Sequence, residues 1–269
     1  METYEIQKLL KDPKEMLGAL YGTLLGDASM TKPNPGNSRL TFGQNNQAYA
    51  IWKAELFSDL GFCAPVLYDT TWRSQTNRLP MFSKMYHHIY HNGRKTVTEH
   101  LLKTLNPLGL ALLFYDDGDF HKEKQEVKIA TMGFNEAEHT LLQKGLFKKF
   151  DLHFNIHTRK SAGGNRKPNY FYLRLKKADT IRFFELIKPF KTTCMNYKFP
   201  TVEGLEKLST HTRRNTEDTD TILTNQVLFD LYYKQGLNFH QMSEMLGVNS
   251  GTIYGRVQKL EEQLASYLQ

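Results

Sequence analysis

Cysteine is scarce in this chain of 269 residues. Cys63 and Cys194 are its two, and they form no CxxC pair. Zinc fingers are thereby excluded, and a disulfide scaffold is not expected. Long apolar runs are missing too, since nothing approaches the roughly 18 residues of a membrane span. The opening METYEIQKLLKDPKE is charged and mixed, unlike a secretory signal. These absences lead to the expectation of an intracellular setting, cytoplasm or organelle matrix, with no membrane. Acidic residues are in the minority, 28 Asp and Glu against 35 Lys and Arg, for a net charge of +7. That balance suits a polyanionic partner, nucleic acid first, although a solvated lysine-rich surface gives the same number. Hydrophobic residues at 40% and aromatics at 12% are enough to bury a core.

What is present is a repeat. LYGTLLGDA begins at Leu20 and LALLFYDDG at Leu110, and Asp27 and Asp117 hold the same place in each. Such a repeat implies two similar half-domains related by a pseudo-two-fold, with carboxylates near its axis. Gly18, Gly22 and Gly26 lie at i, i+4 and i+8, on one helical face. A glycine inside a helix costs about 1 kcal/mol against alanine, so three in register point to another helix lying close. The second copy offers Gly109, Ala111 and Gly118. Packing the two helices together sets their C-terminal ends side by side. Each end carries an aspartate, unpaired carbonyls and the negative pole of a helix dipole. Cations between them would relieve the repulsion. Mg²⁺ suits the arrangement because it takes few carboxylates, keeps waters and binds phosphate, and Mn²⁺ is the expected substitute. Paired acids holding divalent cations are equipment for cutting phosphodiesters. A buried helix capped by a solvated aspartate would explain one copy, but its repetition argues otherwise.

The expected fold class is α+β, with each half reading helix, strand, helix, strands, helix. Half-domains are expected at 1–104 and 105–202, a polar linker at 203–221 and a small all-α unit at 222–269. In the first half, helices are expected at 4–11, 14–26, 47–60 (capped by Gly61), 84–91 and 96–104. Strands are expected at 39–44, 66–72 and near 79–83, with a polar turn at 73–78. In the second half, Pro107 opens the motif helix. Strands follow at 127–132, 152–158 and 169–175, with helices at 135–150 and 178–187. The C-terminal unit reads as a helix-turn-helix after a helix at 224–234. Asn238 caps a helix holding Phe239, Met242, Met245 and Leu246, and Gly247 makes the turn. Ser250 caps the next helix, with Ile253, Val257 and Leu260 inward. Ser250, Thr252, Tyr254 and Arg256 are then available to DNA. A helical bundle used for dimerisation is the alternative.

Over roughly residues 14–202 these segments resemble the LAGLIDADG homing endonucleases, in their single-chain, two-motif branch. GTLLGDASM, FGQNNQAY, FYDDGDF and FFELIKPFKTTCMNYKFP carry the resemblance together with the motif acids. It implies two pseudo-two-fold-related αββαββα halves whose antiparallel sheets form a saddle over the DNA major groove. It implies that Asp27 and Asp117 bind metal, helped by the main-chain carbonyls of Gly26 and Asp116. It also implies a monomer that cuts both strands of a long, partly asymmetric double-stranded DNA site, leaving short 3′ overhangs. Leu112, where a motif glycine is common, and Ala28, after the first acid, depart from the pattern without removing a metal ligand. Lys95 in NGRKT and Lys198 in NYKFP sit where related endonucleases carry an active-site lysine, placed to neutralise charge or orient water. A surface lysine touching phosphate is the plainer reading of each. Gln44, ending the first strand, is placed to order a hydrating water. Its parity with Leu40 and Phe42 fits partial burial equally well. His87, His88 and His91 beside Asn92 faintly resemble an HNH nuclease, but no second histidine cluster follows at a suitable distance.

In the strand at 169–175, Phe171, Leu173 and Leu175 are expected to face the core, and Tyr170, Tyr172 and Arg174 to face out. Such a surface can touch base edges in the major groove. Arg159, Lys160, Arg166 and Lys167 at its basic turn have this placement. So do Arg39, Thr41, Arg73, Gln75, Asn77 and Arg78 in the first half. Each can equally be a phosphate contact that positions without reading sequence. Two other functions stay open. One is a non-catalytic DNA-binding regulator joining this fold to a helix-turn-helix, against which both retained acids argue. The other is an RNA maturase assisting intron splicing, with RNA as partner. An intein is disfavoured, since splicing-type terminal residues are missing.

Overall fold

A computed structural model describes residues 3–33, 35–159, 170–201, 204, 222–248 and 250–266. The chain divides into one unit over Met1–Leu205 and a second over Glu206–Gln269. Among the described residues no helix is long and apolar enough to cross a membrane.

Two helices form the axis of the first unit. After the short α1 (Thr3–Leu9), α2 (Pro13–Leu25) starts where the Asp12 carboxylate accepts from the Lys14 amide, with Pro13 in the first turn. In the second half, α6 (Pro107–Asp117) starts the same way, with Asn106 accepting from the Gly109 amide and Pro107 at its head. From Gly18 to Leu25 and from Leu108 to Tyr115 every residue of these helices is buried, as in core helices apolar all round. The expected glycine contact is present. A Cβ on Gly22 would overlap the Gly109 backbone, and one on Gly109 would overlap the Gly18 carbonyl. Gly118 does not belong to this contact, because the atoms nearest it are those of its own Phe114.

Each motif helix runs into a four-stranded antiparallel sheet. In the first half these are β1 (Ser29–Met30), β2 (Leu40–Gln44), β3 (Val66–Tyr68) and β4 (Thr71–Gln75), in the order β1-β2-β4-β3. Between β2 and β3 lies α3 (Gln47–Leu56), which packs on β2 and β4. The half continues through α4 (Pro80–Ile89), the pair β5 (Tyr90–His91) and β6 (Arg94–Lys95), and α5 (Glu99–Thr104). The second half repeats the scheme with β7 (Gly118–His121), β8 (Glu126–Ile129), β9 (Phe154–Arg159) and β10 (Tyr170–Leu175), in the order β7-β8-β10-β9. There α7 (Glu136–Phe150) packs on β9 and β10, and α8 (Thr180–Ile187) packs against α6.

The first half departs from expectation most over residues 66–83, and the helix expected at 84–91 gives way to β5 at Tyr90. Residues 66–72 are not one strand, because the chain reverses at Asp69, whose φ is +52°, and Tyr68 pairs with Thr71. Arg73 and Gln75 therefore lie in β4 rather than in a turn. The strand expected near 79–83 is instead the start of α4, with Pro80 in the first turn. The short strands β1 and β7 were not anticipated.

Among its described residues the second unit has three helical segments. Thr224 caps α9 (Asn225–Leu228), which continues as a π-helix over Phe229–Lys234. Asn238 and Gln241 make a capping box for α10 (Phe239–Leu246), and Gly247 turns the chain with φ +65°. Ser250 is the first residue of α11 (Ser250–Ser266) rather than a cap before it. Leu228, Leu231, Met242, Ile253, Val257 and Leu260 form the core. Met245 of α10 stays outside this core and is 63% exposed.

These contacts separate two glycines. Gly22→Ala is expected to cost about 3 kcal/mol or more by overpacking the helix contact. Gly255→Ala, at an exposed position of α11 with open space around it, is expected to stabilise the second unit by up to about 1 kcal/mol. Urea denaturation of both variants checks the pair. An unperturbed Gly22→Ala would contradict close helix packing.

Candidate active site

The end of α2 places Asp27 one residue beyond the Gly26 cap, exposed, and the end of α6 places Asp117 half-buried. Both carboxyls hold their protons more tightly than usual. Burial is the main cause for Asp27, followed by the Asp116 charge. Asp117 is pushed up to about 7, first by burial and then by the charges of Asp27 and Asp116. A low-dielectric cleft holding several acids disfavours their ionised forms unless positive charge is near.

Lysines occupy equivalent places at the two helix ends. Lys95 Nζ donates to the carbonyl oxygens of Gly26 at 2.9 Å and Ala28 at 3.1 Å. Lys198 Nζ donates to those of Tyr115 at 2.6 Å, Gly118 at 2.7 Å and Phe114 at 3.2 Å. Each ammonium thus satisfies carbonyls that a helix end leaves unpaired. Burial lowers both lysine pKa values, and the neighbouring aspartates oppose that shift. The Gly26 carbonyl, expected to face metal, is therefore also a lysine acceptor here. Gln44 is 8% exposed, and its Nε2 donates at 3.0 Å both to Asp27 Oδ2 and to Asp116 Oδ1.

The sequence reading missed what surrounds Asp116. Its side chain is fully buried and pairs with the equally buried Lys53 at 2.7 Å. Tyr49 Oη adds a bond at 2.8 Å and Thr23 Oγ1 one at 3.1 Å. Tyr49 and Lys53 stand one turn apart on α3, and Asn46 caps that helix. Two signals were available: the doubled acid at 116–117, and a lysine inside the otherwise apolar face of AYAIWKAEL.

Each sheet shapes a concavity reaching its acid. The first, about 550 Å³, is lined by Asp27, Thr41, Tyr68, Arg73 and Gln75 among others. The second, about 410 Å³, runs from Asp117 past Asp119, Lys128 and Met132 to Tyr170 and Tyr172. Thr41, Arg73, Gln75, Tyr170 and Tyr172 are therefore brought together with the acids. Arg39 Nη1 donates to Gln75 Oε1 at 2.9 Å, and Arg78 Nη1 to the Asn37 carbonyl at 2.8 Å. Arg174 pairs with Glu126. Lys160, Arg166, Lys167 and the linker at 203–221 apart from Gly204 lie outside the described residues, as does the side chain of Arg159. In the second unit Thr252 and Tyr254 are exposed and Arg256 is half-buried, and the Tyr254 ring meets that of Phe239 edge-on.

Among the described residues no three His, Cys, Asp or Glu side chains gather into a metal cage. Histidines 87, 88 and 91 thus form no such centre. The donor set at the helix ends is two aspartates with water-accessible space beside them. That set fits Mg²⁺, which needs few carboxylates and retains waters.

Two motif helices in contact, each ending in an acid and leading into its own four-stranded sheet, define a pseudo-symmetric α+β protein. The family model described as LAGLIDADG DNA endonuclease family matches residues 17–183. The cytochrome b mRNA maturase bI2 of Debaryomyces hansenii is 30% identical over 202 residues, covering 69% of this chain and 73% of that protein. DNA endonuclease I-ChuI of Chlamydomonas applanata is 24% identical over 204 residues, covering 66% and 91%. The chain spans about half the length of the mycobacterial RecA proteins it also matches. Among solved structures, the homing endonuclease I-WcaI bound to its DNA recognition sequence superposes with a TM-score of 0.61 at 26% identity, covering 72% of this chain and 94% of that one. The chain belongs to the LAGLIDADG DNA endonuclease family.

The Lys53–Asp116 pair has a stability signature. Lys53→Met or Asp116→Ala alone is expected to cost about 3–5 kcal/mol, since each leaves a buried charge unpaired. The double variant is expected to cost less than the sum. Urea unfolding of the four proteins measures the coupling, and additive losses would show that the pair does not interact.

Proposed function

We propose that this protein is a site-specific DNA endonuclease that hydrolyses both strands of a long, partly asymmetric double-stranded site. The observation carrying this reading is the pair of acids at adjoining helix ends, each opening onto the concavity of its own sheet. Asp27 and Asp117 are the residues that would hold divalent metal, Mg²⁺ or Mn²⁺. When bound, the metal supplies charge neutralisation and a more acidic water. Lys95 and Lys198 keep an ammonium at each helix end, where it offsets negative charge building on a phosphate. Gln44 fixes the direction of the Asp27 carboxylate. Thr41, Arg73 and Gln75 on one sheet, and Tyr170 and Tyr172 on the other, offer groups to base edges and phosphates. Arg39, Arg78, Arg174 and the basic turn add positive charge. The halves differ in sequence, so the site they read is unequal, and one chain suffices to span it. Thr252, Tyr254 and Arg256 of the second unit extend the DNA contact, and a tether would raise affinity without altering the chemistry.

The 30% identity to a cytochrome b mRNA maturase supports a second reading, in which the same fold assists intron splicing by binding RNA. Both acids are retained, which favours the nuclease and disfavours a non-catalytic regulator.

With Mg²⁺, the purified protein is expected to linearise a plasmid carrying the uninterrupted version of its own insertion locus. Asp27→Asn and Asp117→Asn are each expected to abolish double-strand cutting while DNA affinity stays within a few-fold. Millimolar Mg²⁺ should also raise the Tm of the wild type, and less so that of either variant. Variants that cut and respond to Mg²⁺ like the wild type would refute the assignment. Removing residues 222–269 is expected to weaken DNA binding and flatten its salt dependence while Mg²⁺-dependent cutting survives at high protein concentration. Unchanged affinity would assign that unit to dimerisation instead.

A further inference from the structure

We infer that Asp116 and Lys53 form a positioning device for Asp27 alone, so that the two reaction centres are unequal by construction. The inference rests on the endonuclease reading above. Asp116 belongs to the second half, yet its carboxylate is spent on the first. It accepts from Thr23 Oγ1 at 3.1 Å, the Asp27 amide at 3.3 Å, Gln44 Nε2 at 3.0 Å, Tyr49 Oη at 2.8 Å and Lys53 Nζ at 2.7 Å. All five donors lie in the first half. Lys53 is held in turn between the rings of Phe42 and Tyr49, 5.0 and 5.5 Å from their centroids. Through Gln44, which bonds both carboxylates, the position of Asp116 becomes the position of Asp27.

Among the described residues the second half has no equivalent set. The motif counterpart of Asp116 is Gly26, which has no side chain to reach across. A Cβ on Gly26 would stand 2.5 Å from that of Asp116, so the interface admits one side chain here. Strand register gives the counterpart of Gln44. Ser29 pairs with Thr41 and Asp119 with Lys128, so Gln44 corresponds to Thr131. Thr131 Oγ1 lies 2.6 Å from His139 Nε2, and the other ring nitrogen faces the Asn135 carbonyl at 2.8 Å, so this pair is used internally. Counted from the helix caps Asn46 and Asn135, Lys53 corresponds to Leu142, a fully buried hydrocarbon. Asp117 therefore depends on α6 and on the strand bond from the Ala130 amide to its own carbonyl at 2.8 Å.

A reacting group misplaced by about 1 Å can cost about a hundredfold in rate. Loosening the device should therefore slow one strand's cut and spare the other. The test is single-turnover cleavage of the target duplex with each strand labelled separately, at saturating protein with Mg²⁺, for wild type, Lys53→Met and Tyr49→Phe. Tyr49→Phe removes one hydroxyl and keeps the ring, so it remains informative if Lys53→Met does not fold. The expected result is that the ratio of the two strand rates changes by about tenfold, nicked duplex accumulates, and DNA affinity stays within about twofold. Equal slowing of both strands, or of neither, overturns the inference and leaves the endonuclease reading standing. Failure of the wild type to cut either strand overturns both.

Discussion

The close approach of α2 and α6 is the constraint on which the rest of the structure depends. Gly18, Gly22 and Gly109 remove the side chains that would hold the two backbones apart. Surrounding leucines and aromatics supply the burial that drives the contact, and Leu112 joins them at 0% exposure without parting the helices. Once the backbones touch, the C-terminal ends must converge. Asp27, Asp116 and Asp117 are then brought together at the helix ends, where their like charges would repel if left alone. Lys53, Lys95 and Lys198 answer this in two ways. Lys53 neutralises the deepest acid, and the other two satisfy helix-end carbonyls.

The same contact links the acids to the sheets. Each motif helix runs almost directly into the first strand of a sheet, at Ser29 and at Gly118. The acids therefore sit at the inner ends of the two concavities rather than beside them. Arg73 and Gln75 gain their place in the first groove from the hairpin at Asp69, which pairs β3 with β4. A straight strand through 66–72 would have left them in a loop.

Much of this was legible in the sequence, because repetition and glycine spacing survive without a structure. The motif acids, the inward parity of Gln44 and the helix capped by Asn238 follow from local patterns, whereas Lys95 and Lys198 were located by the family resemblance. Three features were less legible for physical reasons. A hairpin whose turn places a non-glycine residue at positive φ, Asp69, gives no glycine signal. Two-residue strands such as β1 are too short to show alternation. Lys53 was overlooked because a lysine in a helix ordinarily reads as surface, even on an apolar face. Only the contact with a residue 63 positions away shows why it is buried.

That contact also bears on why the halves share one chain. In a symmetric dimer, the residue before the motif acid would be identical in both halves. Two glycines would leave Lys53 without a counter-charge, and two aspartates would compete for the space that Gly26 leaves open. Gly26 against Asp116 resolves the conflict, and it is possible only because the two positions are specified separately. The small residue makes room, the large one fills it, and the cation beneath belongs to the half that made the room. Asymmetry in this molecule therefore begins at the helix contact itself, before any difference between the two sheets.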